Sequence, residues 1–132
     1  MVRSLVVGVM LVGMAGCHAG TSAEKFAPAN GPRGIWAELH LGRASIEGEL
    51  LEVQDSALLL LRANEVVLVP LGEIRAGEFR QRGILIHRGE FIGRESAAEL
   101  RLVSRYPTGL TPELRARLLA ALGQAEPARV AP

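Results

Sequence analysis

A chain of 132 residues has room for one domain and its trimmings, because a typical domain takes roughly 100–150 residues. Aromatic residues make up only 4% of it, so a core must be built from Leu, Val, Ile and Ala. A net charge of +1 excludes general affinity for nucleic acid or anionic membrane surfaces, and the single cysteine, Cys17, excludes an intrachain disulfide.

The chain opens with one positive charge at Arg3, followed by a charge-free apolar run from Leu5 to Ala15. That length suits the apolar region of a signal peptide and falls short of the ~20 residues of a spanning helix. The run ends in Met14-Ala15-Gly16-Cys17, which resembles the lipobox of bacterial lipoproteins. The resemblance implies cleavage before Cys17 and acylation of its sulfur, which would also remove the liability of a lone exported thiol. His18 stands where the resemblance would place an inner-membrane retention aspartate, so the expected location is the outer membrane, periplasmic face. A secretory signal cut after Ala19, and a buried N-terminal helix with an incidental cysteine, are the competing readings. Removal of Arg3 leaves 14 basic and 14 acidic side chains. Residues 17–34, rich in Gly, Pro and small polar residues, read as a flexible tether.

From Ile35 the pattern alternates. Ile35, Ala37, Leu39 and Leu41 share one face of a strand, with Trp36, Glu38 and His40 on the other. After a Gly42-Arg43 turn, Ala44, Ile46, Gly48 and Leu50 continue the inward face against Ser45, Glu47 and Glu49. At Leu50-Leu51 the phase slips, which predicts a bulge or sharp bend. Gln54-Asp55-Ser56 turns the chain into Ala57–Leu61, uniformly apolar and expected to be covered on both faces. Ala63-Asn64 suits a tight hairpin leading into Val66–Val69, which Pro70 ends. Leu71–Ile74 suits one helical turn before an extended Ala76–Phe79. A further hairpin is expected from Gly83–His87 and Glu90–Ile92 around Arg88-Gly89.

Two helices are predicted to follow. Ser96-x-x-Glu99 reads as a capping box, with Pro107 stopping that helix near Arg105. The second has Thr111 as N-cap, Pro112 at the first helical position and Gly123 past the last turn. Its apolar stripe is Leu114, Leu118, Leu119 and Leu122, with Arg115 and Arg117 facing water. The expected layout is a signal peptide at 1–16, the tether at 17–34, a small β-barrel at 35–92, a helical extension at 93–123 and a loose tail at 124–132. The fold class is mostly β with C-terminal helices.

The run from Leu41 to Leu58, with Gly42-Arg43, Gly48, Leu50 and Asp55, shares its physics with SH3-like barrels and resembles the first motif of Sm-like small antiparallel β-barrels. Ala57-Leu58-Leu59 occupies the place of the polar residue that such barrels use for RNA. The second motif has only an echo in Ile74-Arg75-Ala76-Gly77, so RNA binding is not implied. His18, His40 and His87 lack metal-site spacing, and no nucleophile elbow or phosphate loop is present. No catalytic residue, cofactor or metal is therefore expected. Glu47, Glu49 and Glu52 read as a solvated face. Trp36 is either a binding anchor or, covered by the C-terminal helices, part of the core, and the pattern favours core. The side chains offered for an interaction surface are Trp36, Arg75, Arg80 and Arg82.

Charge is unevenly spread. Glu38 to Glu65 holds six acids and two arginines, net −4, while Arg75 to Arg105 holds seven arginines and four glutamates, net +3. Either the halves complement each other within one fold or they drive head-to-tail assembly. Together these features predict a membrane-anchored, non-enzymatic lipoprotein that contacts an envelope protein or its own copies. A small-ligand or peptidoglycan-binding module is the alternative.

Overall fold

The computed structural model describes residues 35–81, 83–90 and 93–130. The expected signal peptide, the expected tether with Cys17, Arg82, and the Phe91-Ile92 part of the expected hairpin lie outside the described residues. The elements are β1 (Trp36–Leu41), β2 (Ala44–Val53), β3 (Ala57–Arg62), β4 (Glu65–Pro70), a 3-10 turn (Leu71–Glu73), β5 (Ala76–Gln81), β6 (Ile84–Gly89), α1 (Arg94–Val103), α2 (Pro112–Ala121) and β7 (Ala128–Arg129). They form one seven-stranded sheet in the order β6-β5-β1-β2-β3-β4-β7. All pairings are antiparallel except that of β4 with the short β7. Among the described residues β6 and β7 do not pair, so the sheet is not closed. The protein is mostly β with two helices near its C-terminal end.

The alternation from Ile35 to Leu41 holds: Ile35, Ala37, Leu39 and Leu41 are buried. Ala63 and Asn64 both take positive φ (45° and 63°), the conformation of the two-residue turn that matches strand twist. One face of the sheet, here called the inner face, curls around a core that includes Leu39, Leu50, Leu58, Leu60, Val69 and Phe79, with Ala97 and Leu100 of α1 packed into it. The opposite, outer face carries a second core of Leu51, Leu59 and Val66 beneath Tyr106, Leu110, Leu118 and Leu119. β3 is thus covered on both sides, which is why its sequence shows no period.

The bend in β2 makes this possible. Residues 44–49 pair with β1 and residues 49–53 with β3, and the register shifts between Leu50 and Glu52. The extra residue sends Leu50 into the first core and Leu51 into the second. It also leaves two carbonyls for the C-terminal segment: Leu50 O accepts from Arg105 N–H (3.1 Å) and Leu51 O from Tyr106 N–H (2.9 Å). Two carboxylates of β2 complete the clamp. Glu49 pairs with Arg105, whose side chain is only 6% exposed. Glu52 Oε1 accepts from Leu110 N–H (3.1 Å), and Oε2 accepts from Arg115 (3.2 Å) and from Gln54 (3.2 Å). Gly48 is needed here for space, since a Cβ on it would lie 2.5 Å from Leu61 O.

Several expectations are corrected. Glu49 is half-buried and Glu52 buried, because the C-terminal segment covers them; only Glu47 of the three faces solvent. Arg115 turns toward Glu52 because it lies three and four residues before Leu118 and Leu119, on the same helix face. Helix α1 starts at Arg94 with Gly93 as N-cap and no side-chain cap bond, so Ser96 lies inside the helix; Glu95, favourable in a first turn, takes the place the capping box was expected to hold. Arg88 and Gly89 belong to β6, paired with Glu78 and Gly77. The chain reverses instead near Gly83, at φ 81°. The tail is not loose over its described part. The Gln124 side-chain amide accepts from Val66 N–H (2.7 Å) and donates to Val66 O (3.0 Å), and Ala128–Arg129 adds β7 beside β4. The Thr111 cap is present, with Oγ1 accepting from Leu114 N–H (3.2 Å).

Two substitutions test the bend and its clamp. Gly48→Ala should destabilise the fold by about 1–3 kcal/mol, since the new methyl meets backbone, whereas Gly72→Ala, with open space around it, should stay within about 0.5 kcal/mol. Arg105→Leu leaves the Glu49 carboxylate half-buried without this partner and should cost about 3–5 kcal/mol, much of it regained in the Glu49→Leu/Arg105→Leu double variant. Denaturant midpoints read both. A cost below about 1 kcal/mol for Arg105→Leu would place that pair in the class of ordinary surface ion pairs.

Candidate functional site

Helix α2 and the connection before it cover the outer face over β3, β4 and the far half of β2. The other half, across β6, β5, β1 and the start of β2, is uncovered by any described element. Antiparallel register orders its side chains in rows. Trp36 stands opposite Arg80 on one side and Glu49 on the other, and Arg80 stands opposite Leu85. In the next row Glu38 lies between Glu78 and Glu47, with Arg88 beyond Glu78. His40 follows, between Ala76 and Ser45.

Like charges directly opposite one another destabilise a sheet, and the row of three glutamates is relieved unevenly. Glu78 bonds Arg80 (3.0 Å) and also pairs with Arg88. The Arg80 hydrogen bond above all, opposed by partial desolvation and reinforced by Arg88, holds the Glu78 carboxyl below the usual carboxylate range. Among the described residues the His40 ring is the one ion-pair partner of Glu38, at 3.8 Å, while His40 Nδ1 and Ser45 Oγ are 2.9 Å apart. Glu47 is exposed and has no ion-pair or hydrogen-bond partner among the described residues. A shallow groove of about 560 Å³ runs beside this row, lined by Trp36, Glu38, Ser45, Ile46, Glu47 and Arg62.

Trp36 is 49% exposed, which corrects its reading as core: the C-terminal helices cover the far half of the outer face and leave Trp36 open. The structure brings Trp36 and Arg80 together as cross-strand neighbours. It places Arg75 at the opposite end of β1, where its N–H donates to His40 O (2.8 Å). The residues missed in the sequence are Glu38, Glu78 and Arg88, which meet only through the β1–β5 and β5–β6 pairings, and Ile84, Leu85 and Ile86. That apolar triplet looks like buried strand, yet Ile84 is 69% exposed and its two neighbours are more than two-fifths exposed.

On the clamp side, a cleft near Glu52 includes Asp55, Arg101 and Arg115. Its charges are used in holding the fold: Arg101 donates to Val53 O (3.2 Å) and lies 3.6 Å from Asp55. Among the described residues there is no group of three His, Cys, Asp or Glu side chains able to hold a metal ion, and no helix long and apolar enough to cross a membrane. No family model, curated protein or solved structure matches the chain.

The depressed carboxyl of Glu78 predicts an acid-sensitive contribution. A group whose folded value lies below its unfolded one contributes stability that is fully present above the ordinary carboxylate range and is lost as pH falls through the folded value. Glu78→Gln should therefore flatten the acid limb of a stability–pH profile. Superimposable acid limbs for parent and variant would contradict the Arg80–Glu78–Arg88 arrangement.

Proposed function

We propose that the protein is an outer-membrane lipoprotein, acylated at Cys17 and facing the periplasm, that acts without catalysis as a contact module in envelope assembly or maintenance. The anchor reading rests on Leu5–Ala15 and Met14-Ala15-Gly16-Cys17. We assign the domain to the Sm/SH3-like small barrels. Support comes from the run β5-β1-β2-β3-β4, from the bent second strand that pairs with β1 and then β3, and from the close approach at Gly48.

The observation that carries the reading is the uncovered half of the outer face, where a charged row runs beside an exposed tryptophan. A broad strand face carrying a row of charges, only part of which are paired within the fold, suits a macromolecular partner. The polar groups beside the groove are spread along strands rather than converging on one point, as a small-ligand pocket requires. The surplus acid of Glu38 and Glu47 suits a partner segment carrying basic residues.

A photo-crosslinking residue at position 47 of the lipoprotein, irradiated in intact cells, should give a discrete protein adduct. Glu38→Arg should remove it. An adduct-free chain, or one whose yield ignores Glu38→Arg, would contradict the assignment of this face.

A further inference from the structure

Four of the five large exposed hydrophobic side chains among the described residues are Trp36, Ile84, Leu85 and Ile86. They lie together at one end of the sheet. β1 begins at Trp36, β5 ends at Gln81 and β6 begins at Ile84, and the register sets Trp36 beside Arg80 and Arg80 beside Leu85. The 34 residues that precede Ile35 join the domain at this same end.

We infer that this end of the sheet, formed by Trp36, Arg80, Ile84, Leu85 and Ile86, seats on the interface of the bilayer to which the chain is anchored. The inference rests on the lipid-anchored reading and adds an orientation to it. Tryptophan settles at the headgroup level of a bilayer, aliphatic side chains enter the acyl boundary, and arginine carries its charge back to the phosphates. Arg80 keeps donors to spare after bonding Glu78, because a guanidinium has five. The surplus carboxylates Glu38 and Glu47 lie one row further along the strands, about 7 Å from the Trp36 row at the strand rise. Glu49, in the Trp36 row, is held by Arg105. The contact relies on apolar insertion at one end and needs no net positive charge.

One feature of β6 favours a lipid surface over an added strand. The pairing with β5 shifts between Phe79 and Arg80, leaving Ile86 between His87 and Leu85 without a partner in the ladder. Such a bulge disrupts the regular edge that strand addition requires, whereas a bilayer makes no demand on the ladder. The tether does not itself impose the contact. Residues 18–34, fully extended, reach up to about 60 Å, so a domain without affinity for the surface would stand away from it. Seated on this end, the domain would hold its charged row above the membrane, open to a partner.

Trp36 is the only tryptophan in the chain, so its fluorescence reads the contact directly. The lipoprotein purified from envelope membranes is reconstituted into phosphatidylethanolamine–phosphatidylglycerol vesicles, plain or with acyl-chain-brominated phospholipid. The emission should shift to shorter wavelength on reconstitution and lose intensity in the brominated vesicles. In the Ile84→Glu/Leu85→Glu/Ile86→Glu variant, checked for an unchanged circular dichroism spectrum, the chain should still float with vesicles while both signals disappear. A parent chain that floats but is not quenched overturns the seating and leaves the anchor reading intact. A parent that neither floats nor is quenched overturns both. Quenching that survives in the triple variant overturns the role of β6. An emission shift seen in native envelopes but absent from pure lipid vesicles overturns the inference in favour of a protein covering this end.

Discussion

The structure depends on one bent strand and on what its bend exposes. A single extra residue in β2 turns alternate side chains into two different cores and frees the carbonyls of Leu50 and Leu51. The backbone of residues 105–106 takes those carbonyls, and Arg105, Leu110 and Arg115 take the carboxylates of Glu49 and Glu52. A buried carboxylate is costly unless its oxygens are bonded. Glu52 is 7% exposed and accepts from three donors. The same contacts fix where α2 lies, so they decide which half of the outer face is sealed and which is open.

The uneven charge of the chain has a use within this arrangement. Three arginines of the C-terminal part, Arg101, Arg105 and Arg115, meet three acids of β2 and the following turn, Asp55, Glu49 and Glu52. Half of the six acids of that segment are thereby paired where α2 and its connection sit. The other three are Glu65 at the start of β4 and, on the open half, Glu38 and Glu47 in one row. The edge of β4 is closed by the chain itself, through the Gln124 amide and β7, while the β6 end carries exposed apolar side chains. One edge finished and one end left apolar, with a charged face between them, are the features on which the proposed contact role rests.

Much of this is legible in the residues because it is local. The Thr111-Pro112 start of α2, the Ala63-Asn64 turn, and the phase slip at Leu50-Leu51 each depend on a few neighbouring positions. Gly48 was readable as special, but its reason was not: the constraint is the carbonyl of Leu61 on the next strand. Non-local pairing hid the rest. Nothing near Trp36 in sequence announces Arg80 as its neighbour, and nothing in the Gln124 region announces a strand edge at Val66. The capping-box pattern at Ser96 and the turn pattern at Arg88-Gly89 misled because competing sites, Gly93 and Gly83, lay a few residues earlier. The exposure of Ile84, Leu85 and Ile86 has no local signal either, since an apolar strand is ordinarily covered and this one lies open.

Through these contacts with β2 the C-terminal segment forms one cooperative unit with the sheet. Native-state hydrogen exchange measures that directly, because amides that open only with the whole fold exchange at the global rate while separately opening ones exchange sooner. The amides of Arg105, Tyr106 and Leu110 should exchange as slowly as those of the β2–β3 ladder, with the same dependence on denaturant. Early exchange of these three, with the β2–β3 ladder still protected, would contradict the claim that the bend and its clamp hold the two halves together.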